Sequence, residues 1–110
     1  MSTHSRPAAV AGMFYPESPD RLGRELAAML ADAARPPQDD YPKALIVPHA
    51  GYVYSGPVAA SAFAMLSGRK NAIRRVALLG PTHRVTVRGL ALPDCAAFVT
   101  PLGEAPVDLP

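Results

Sequence analysis

Hydrophobic and polar positions fall into patterned stretches separated by breaks that carry proline and glycine. From Leu22 onward, Leu26, Met29, Leu30 and Ala33 recur at helical spacing, while Arg21, Arg24, Glu25 and Asp32 take much of the other side. Ser18-Pro19-Asp20 opens this predicted helix. Ser18 can cap it, Pro19 suits the first helical position, and Asp20 complements the helix dipole. The helix is expected to end near Ala34, with Pro36-Pro37 as the stop and a polar loop from Gln38 to Tyr41. Lys43 to Val47 is short, apolar and without alternation, the pattern of a strand buried on both faces. A second helix is predicted from Gly56-Pro57, with Val58, Ala62, Phe63, Met65 and Leu66 as its apolar face and Ser67-Gly68 as its stop. Arg75 to Leu79 repeats the buried-strand pattern. Strand, helix and strand in that order predict a βαβ unit, two parallel strands joined by a right-handed crossover.

The flanks are less regular. Met1 to Arg6 reads as a loose, disordered polar end with His4 solvated. Val10, Met13, Phe14 and Tyr15 are too apolar for a free tail, so Pro7 to Pro16 is expected to run extended against the body. Beyond residue 83, Val85 and Val87 alternate with polar neighbours and Leu90 to Leu92 is a candidate extension of that run, as a strand or an extended loop. Ala96 to Val99 is a further short strand candidate, and Thr100 to Asp108 is rich in turn residues.

The length of 110 residues suits one small domain. With 49% hydrophobic residues but only 4 Tyr, 3 Phe and no Trp, alanine, leucine and valine must fill the core. A net charge of +2 with scattered arginines gives no nucleic-acid footprint. The single cysteine, Cys95, excludes an internal disulfide and favours a reducing compartment. No signal-peptide pattern and no apolar run near the roughly 20 residues of a membrane span are present, so a cytoplasmic location without membrane contact is expected.

The chemistry lies at the predicted strand ends. Pro48-His49-Ala50-Gly51-Tyr52-Val53-Tyr54-Ser55-Gly56-Pro57 follows the first strand, and Gly80-Pro81-Thr82-His83 follows the second. The carboxyl edge of such strands is where α/β proteins place ligands. A parallel pairing would bring His49 and His83 side by side. Two imidazoles suit a divalent transition metal but do not complete a site, which needs a carboxylate or further ligands. Glu17, Asp20, Asp94, Cys95, Glu104 and Asp108 stand at no diagnostic spacing from either histidine. A general base or a hydrogen-bonding role remains open for the pair. Ser55 with His49 lacks a nucleophile elbow, and Gly51 to Gly56 lacks the lysine of a phosphate loop. Tyr52 and Tyr54 either line a pocket for an aromatic substrate or wedge against a sheet edge. Cys95 reads as a small buried hydrophobe.

Ala11-Gly12-Met13-Phe14-Tyr15-Pro16, the block Val47 to Gly56, Leu79-Gly80-Pro81-Thr82-His83 and Thr100-Pro101-Leu102-Gly103 follow one another in an order that resembles the Memo-like family, called AmmeMemoRadiSam system protein B in prokaryotes. The resemblance runs from about Arg6 to Asp108. It implies an α/β fold, a mixed or parallel β-sheet flanked by helices, similar to the class III extradiol dioxygenases. It further implies redox or oxygen chemistry at a metal pocket, with iron(II) favoured and copper as the alternative. The family's two N-terminal metal histidines fall on His49 and His83, and Tyr52, Tyr54 and Ser55 would shape the substrate side. Radical-SAM and AMMECR-type proteins are the partners the family name implies. Such proteins are more than twice this long, so residues 1–110 are expected to form a single partial domain, the N-terminal half of the fold. Its site would be incomplete, its turnover little or none, and it would associate with the missing C-terminal half or with itself. Two other readings stand beside this one: a non-catalytic peptide- or protein-binding module using the same pocket, and a truncated product that is only partly folded.

Overall fold

The computed structural model describes residues 3–34 and 41–108. The proline stop at Pro36-Pro37 and most of the polar loop after it lie outside the described residues, as do Met1 and Ser2. The architecture is α/β: a small mixed sheet of three strands with two helices. In chain order the elements are β1 (Ser5–Arg6), α1 (Pro19–Asp32), α2 (Tyr52–Phe63) with a 3-10 turn at Ala64–Leu66, β2 (Ala97–Thr100) and β3 (Gly103–Pro106).

Helix α1 begins where its sequence says it should. The Ser18 hydroxyl accepts a hydrogen bond from the Arg21 N–H at 3.3 Å, and Pro19 opens the first turn. An isolated helix of this length is marginal in water, so its stability comes from packing its apolar stripe. That stripe lies against α2, where Leu22, Ala60 and Ala64 are buried. Close approach depends on a missing side chain. A Cβ at Gly56 would stand 2.7 Å from Met29 Sδ, well inside van der Waals contact.

Helix α2 starts earlier than expected. Gly56-Pro57 was the predicted opening, yet the helix winds from Tyr52, with Gly51 as its N-cap and Pro57 inside it. Two contacts outside the helix let this first turn form. The Tyr52 N–H donates to the Phe14 carbonyl at 2.8 Å, and the Ser55 hydroxyl donates to the Ala50 carbonyl at 3.0 Å. Pro57 is the sixth residue of the helix, and it costs α2 the internal hydrogen bond that position 57 would donate to the Val53 carbonyl. The stop falls as expected, with Gly68 at φ +85°.

The sheet joins the two ends of the described chain. β1 runs parallel to β2, pairing Ser5 with Ala97 and Arg6 with Phe98. The polar start is therefore ordered from this strand on, and the Ala96 N–H donates to the His4 carbonyl at 2.8 Å. β2 and β3 form an antiparallel hairpin in which Thr100 faces Gly103. The Thr100 hydroxyl closes it, accepting from the Leu102 N–H and donating to the Gly103 carbonyl. β3 was not anticipated, because glycine and proline bound it and all four residues are exposed. Proline is compatible with a strand only at an edge, where β3 lies.

The two predicted buried strands do not form. Lys43 to Val47 and Arg75 to Leu79 run without a ladder among the described residues. Ile46 is 99% exposed and Leu78 91%. A strand that is apolar on both faces needs a neighbour at its edge and a layer on each side. The helices supply one layer near residue 47, and the described residues supply no second. Among the described residues, no helix is long and apolar enough to cross a membrane.

The fold gives two expected outcomes. Gly56→Leu forces Met29 out of its place and costs about 1–3 kcal/mol in urea unfolding; adding Met29→Ala recovers part of that loss, as a double-mutant cycle will show. Ser18→Ala removes the α1 cap and costs about 1 kcal/mol, while Ser18→Asp keeps most of it.

Candidate functional site

His49 owes its position to a turn from the far end of the sequence. Val10 to Tyr15 folds tightly: the Met13 and Phe14 N–H groups donate to the Val10 carbonyl, and the Gly12 N–H donates to the Tyr15 carbonyl at 2.7 Å. Gly12 holds φ at +82°, a conformation that suits glycine. The expected extended segment is thus a turn, and its Phe14 carbonyl faces the start of α2. Gly51 lies against it, and a Cβ there would be in ordinary van der Waals contact, 3.5 Å from Phe14 Cα. The Phe14 contact and the Ser55 hydroxyl hold Ala50, Gly51 and Tyr52 from two sides. His49 is the next residue back.

His83 arrives on an extended segment with no element of its own. Its Nε2 lies 3.2 Å from His49 Nε2, with ring centroids 5.3 Å apart and the planes inclined by 55°. Both side chains are exposed. Thirty-four positions of sequence separate the pair, and the chain nonetheless brings the two nitrogens to one point.

Two arrangements suit that distance. If one ring carries its proton on Nε2, it donates to the other ring's lone pair. If both lone pairs face inward, they can share one cation. At a metal–nitrogen length of about 2.05 Å, two ligands are separated by about 2.9 Å at a right angle and about 3.3 Å at the tetrahedral angle. The observed separation lies within that range. Among the described residues, no group of three His, Cys, Asp or Glu side chains is placed to hold an ion. The pair therefore offers two ligands. Cys95 is buried beside the sheet and joins no such group.

The other expected residues divide. Tyr52 and Ser55 line, with His49, an apolar cleft of about 410 Å³ between the helices, walled by Met29, Leu30 and Phe63. His83 does not line it. Tyr54 is 83% exposed and borders a larger open groove of about 830 Å³ with Glu17, Arg21 and Glu25. Tyr52 borders both. Ser55 is buried, its hydroxyl engaged by Ala50. Tyr15 had no assigned role in the sequence, yet its ring packs against Tyr52 at 5.7 Å between centroids. The signal for it was the apolar run preceding Pro16, which marks a packed segment without saying what it packs on.

Burial raises the Tyr52 phenol above its ordinary value, and the negative charge of Tyr15 and Glu25 adds to the effect. A phenol shifted upward on folding stabilises the fold below its unfolded-state value of about 10, and that contribution is lost as pH rises through the folded value. Ultraviolet titration should find a phenol that ionises above the ordinary value, and Tyr52→Phe should remove that step. The parent should lose stability between the two values, and the variant should lose less.

The sequence model of the family described as Memo-like protein matches residues 6–110. The chain is 41% identical over 105 residues to a protein memo-1 homolog of Caenorhabditis elegans, covering 96% of this chain and 29% of the relative. It is 38% identical over 108 residues to a MEMO1 family protein of Methanocaldococcus jannaschii, covering 91% of this chain and 37% of the relative. A MEMO1 family protein of Schizosaccharomyces pombe is 34% identical over 108 residues, covering 98% of this chain and 33% of the relative. The chain spans about a third of the length of these curated relatives. With the match running across the glycine turn, the α2 entry, both histidines and the hairpin, the chain belongs to the Memo-like protein family.

Proposed function

We propose that His49 and His83 are two ligands of a divalent transition-metal centre, iron(II) first and copper second, which serves redox or oxygen chemistry in the complete Memo-like protein. The observation that carries this reading is the 3.2 Å separation of the two Nε2 atoms. Imidazole is a suitable donor for these ions, and a two-histidine set with a further oxygen ligand is a known iron pattern. When bound, such an ion supplies one-electron chemistry and Lewis acidity. This chain's own contribution is positional. The Phe14 and Ser55 contacts hold the backbone at Ala50 and Tyr52, next to His49. Tyr52 presents a neutral phenol at the rim of the apolar cleft, where it can donate a hydrogen bond to a substrate oxygen. The cleft walls of Met29, Leu30 and Phe63 favour an apolar or aromatic substrate body and keep water from it. Two ligands leave the centre incomplete, so the isolated chain should bind metal without turnover.

A second reading rests on the open groove bordered by Tyr54, Glu17, Arg21 and Glu25. The exposed Tyr54 beside charged groups suits a peptide, and no metal is needed for that contact. Binding of a partner peptide that survives His49→Ala and His83→Ala in chelator would favour it.

The metal reading is tested by anaerobic melts with iron(II), on the parent, His49→Ala and His83→Ala, with calorimetric titration as a second readout. At 100 times the dissociation constant, iron should add about 2.7 kcal/mol to the parent. Neither variant should respond to that degree. Equal shifts in all three chains, or none in the parent by either readout, would overturn the assignment.

A further inference from the structure

Helices α1 and α2 meet through a sulfur atom. A Cβ at Gly56 would stand 2.7 Å from Met29 Sδ and 3.5 Å from Met29 Cε, so the thioether occupies the space that a side chain would take. The sulfur is not sealed there. Met29 is half-buried and lines two openings: the apolar cleft of about 410 Å³ that His49 also lines, and the open groove of about 830 Å³. A small solute can thus approach this side chain from either one. The other described methionines differ. Met13 borders the groove alone and is 78% exposed, with little packing to lose. Met65 lines neither opening. A thioether suits a close helix contact because it is apolar, unbranched and adaptable. Its oxide does not, since oxidation turns a flexible apolar side chain into a polar, chiral one. Toward Gly56 the sulfur has no room for an added oxygen. Toward the cleft, the S–O dipole would face the apolar side chains of Leu30 and Phe63, which offer it no hydrogen bond.

We infer that Met29 is an oxidation site for hydroperoxides, and that its sulfoxide opens the contact between α1 and α2 beside His49. In this step a sulfur lone pair takes the terminal oxygen of the hydroperoxide. The S–O bond forms as the O–O bond breaks. Sulfur is oxidised by two electrons, and the hydroperoxide is reduced to water or an alcohol once a proton has moved to the departing oxygen. The oxidised side chain then leaves its place against Gly56, and α1 loses its closest hold on α2. Gly56 follows Ser55, whose hydroxyl holds the Ala50 carbonyl next to His49. Loosening at Gly56 therefore reaches the backbone in front of the histidine. The inference stands independently of metal binding.

The test treats the full chain with hydrogen peroxide in chelator and locates each added oxygen by peptide mass spectrometry. Met13 should oxidise first and leave the melt unchanged. Oxidation of Met29 should follow, lower Tm by about 4 °C or more, and speed amide hydrogen exchange at Ser55 and Gly56 about tenfold. Exchange is the deciding readout where the melt is broad. Met29→Leu keeps the volume nearly constant, and this variant should melt and exchange alike before and after treatment. Met29→Gln places a polar group of similar length at the contact, and it should reproduce the treated parent without peroxide. Methionine sulfoxide reductase should restore the melt and exchange of the treated parent. Met29 staying reduced after Met13 and Met65 are converted would overturn the inference. So would oxidised Met29 with unchanged melt and exchange, or an equal loss in Met29→Leu.

Discussion

The contact between the Phe14 turn and the start of α2 is the constraint on which the site depends. It satisfies the Tyr52 N–H, one of the donors that a helix leaves open at its N-terminus. It also brings position 51 against the Phe14 backbone, where a Cβ would make van der Waals contact at 3.5 Å. The Ser55 hydroxyl secures the same turn from inside the helix. Ala50, Gly51 and the first residue of α2 are thereby fixed, and His49 stands next to them. Without this clamp, Pro57 would be the natural start of the helix, and Tyr52 to Ser55 would have no reason to wind.

The core that supports this arrangement is small. Leu22, Cys95 and three alanines are the buried apolar residues among those described, and no large side chain is fully enclosed. Small residues let α1 and α2 approach closely, and Gly56 against Met29 is the tightest point. Close approach does not replace area, since stabilisation scales with the apolar surface removed from water. Much of the apolar surface lies instead on the segments leading to the two histidines. The chain has thus placed His49 and His83 at the tips of its least covered backbone. Ion pairs do little to offset this. Arg75 meets Asp108, but both are exposed, and such pairs contribute about 1 kcal/mol or less.

Membership of the Memo-like family gives this imbalance a physical sense. The matched region corresponds to about a third of its relatives. In a parallel sheet the strands are the most enclosed elements, whereas their connecting helices lie outside. Helices close their own hydrogen bonds and need only one apolar contact. They form here, while the segments that need neighbours on several sides remain open.

Local signals in the sequence were sufficient where the structure is local. Ser18-Pro19 marks the α1 start, Ser67-Gly68 marks the end of the second helix, and the apolar run at residues 96–99 corresponds to β2, because caps, glycine and periodicity act within a few residues. The α/β class and the meeting of His49 with His83 were also legible in the sequence. Tertiary structure decided the rest. The Phe14 carbonyl, distant in sequence, moved the α2 start from Gly56 to Tyr52. Pairing with β2 ordered Ser5 and Arg6, and an edge position admitted β3 with its terminal proline. The apolar runs at 44–47 and 76–79 encode a need for burial, but a ladder requires a neighbouring strand, and no pattern within one segment can supply it. Sequence alone thus determined which groups could meet. Only the folded chain set the two Nε2 atoms 3.2 Å apart, because that distance depends on a turn, a helix start and an extended segment drawn from separate parts of the chain.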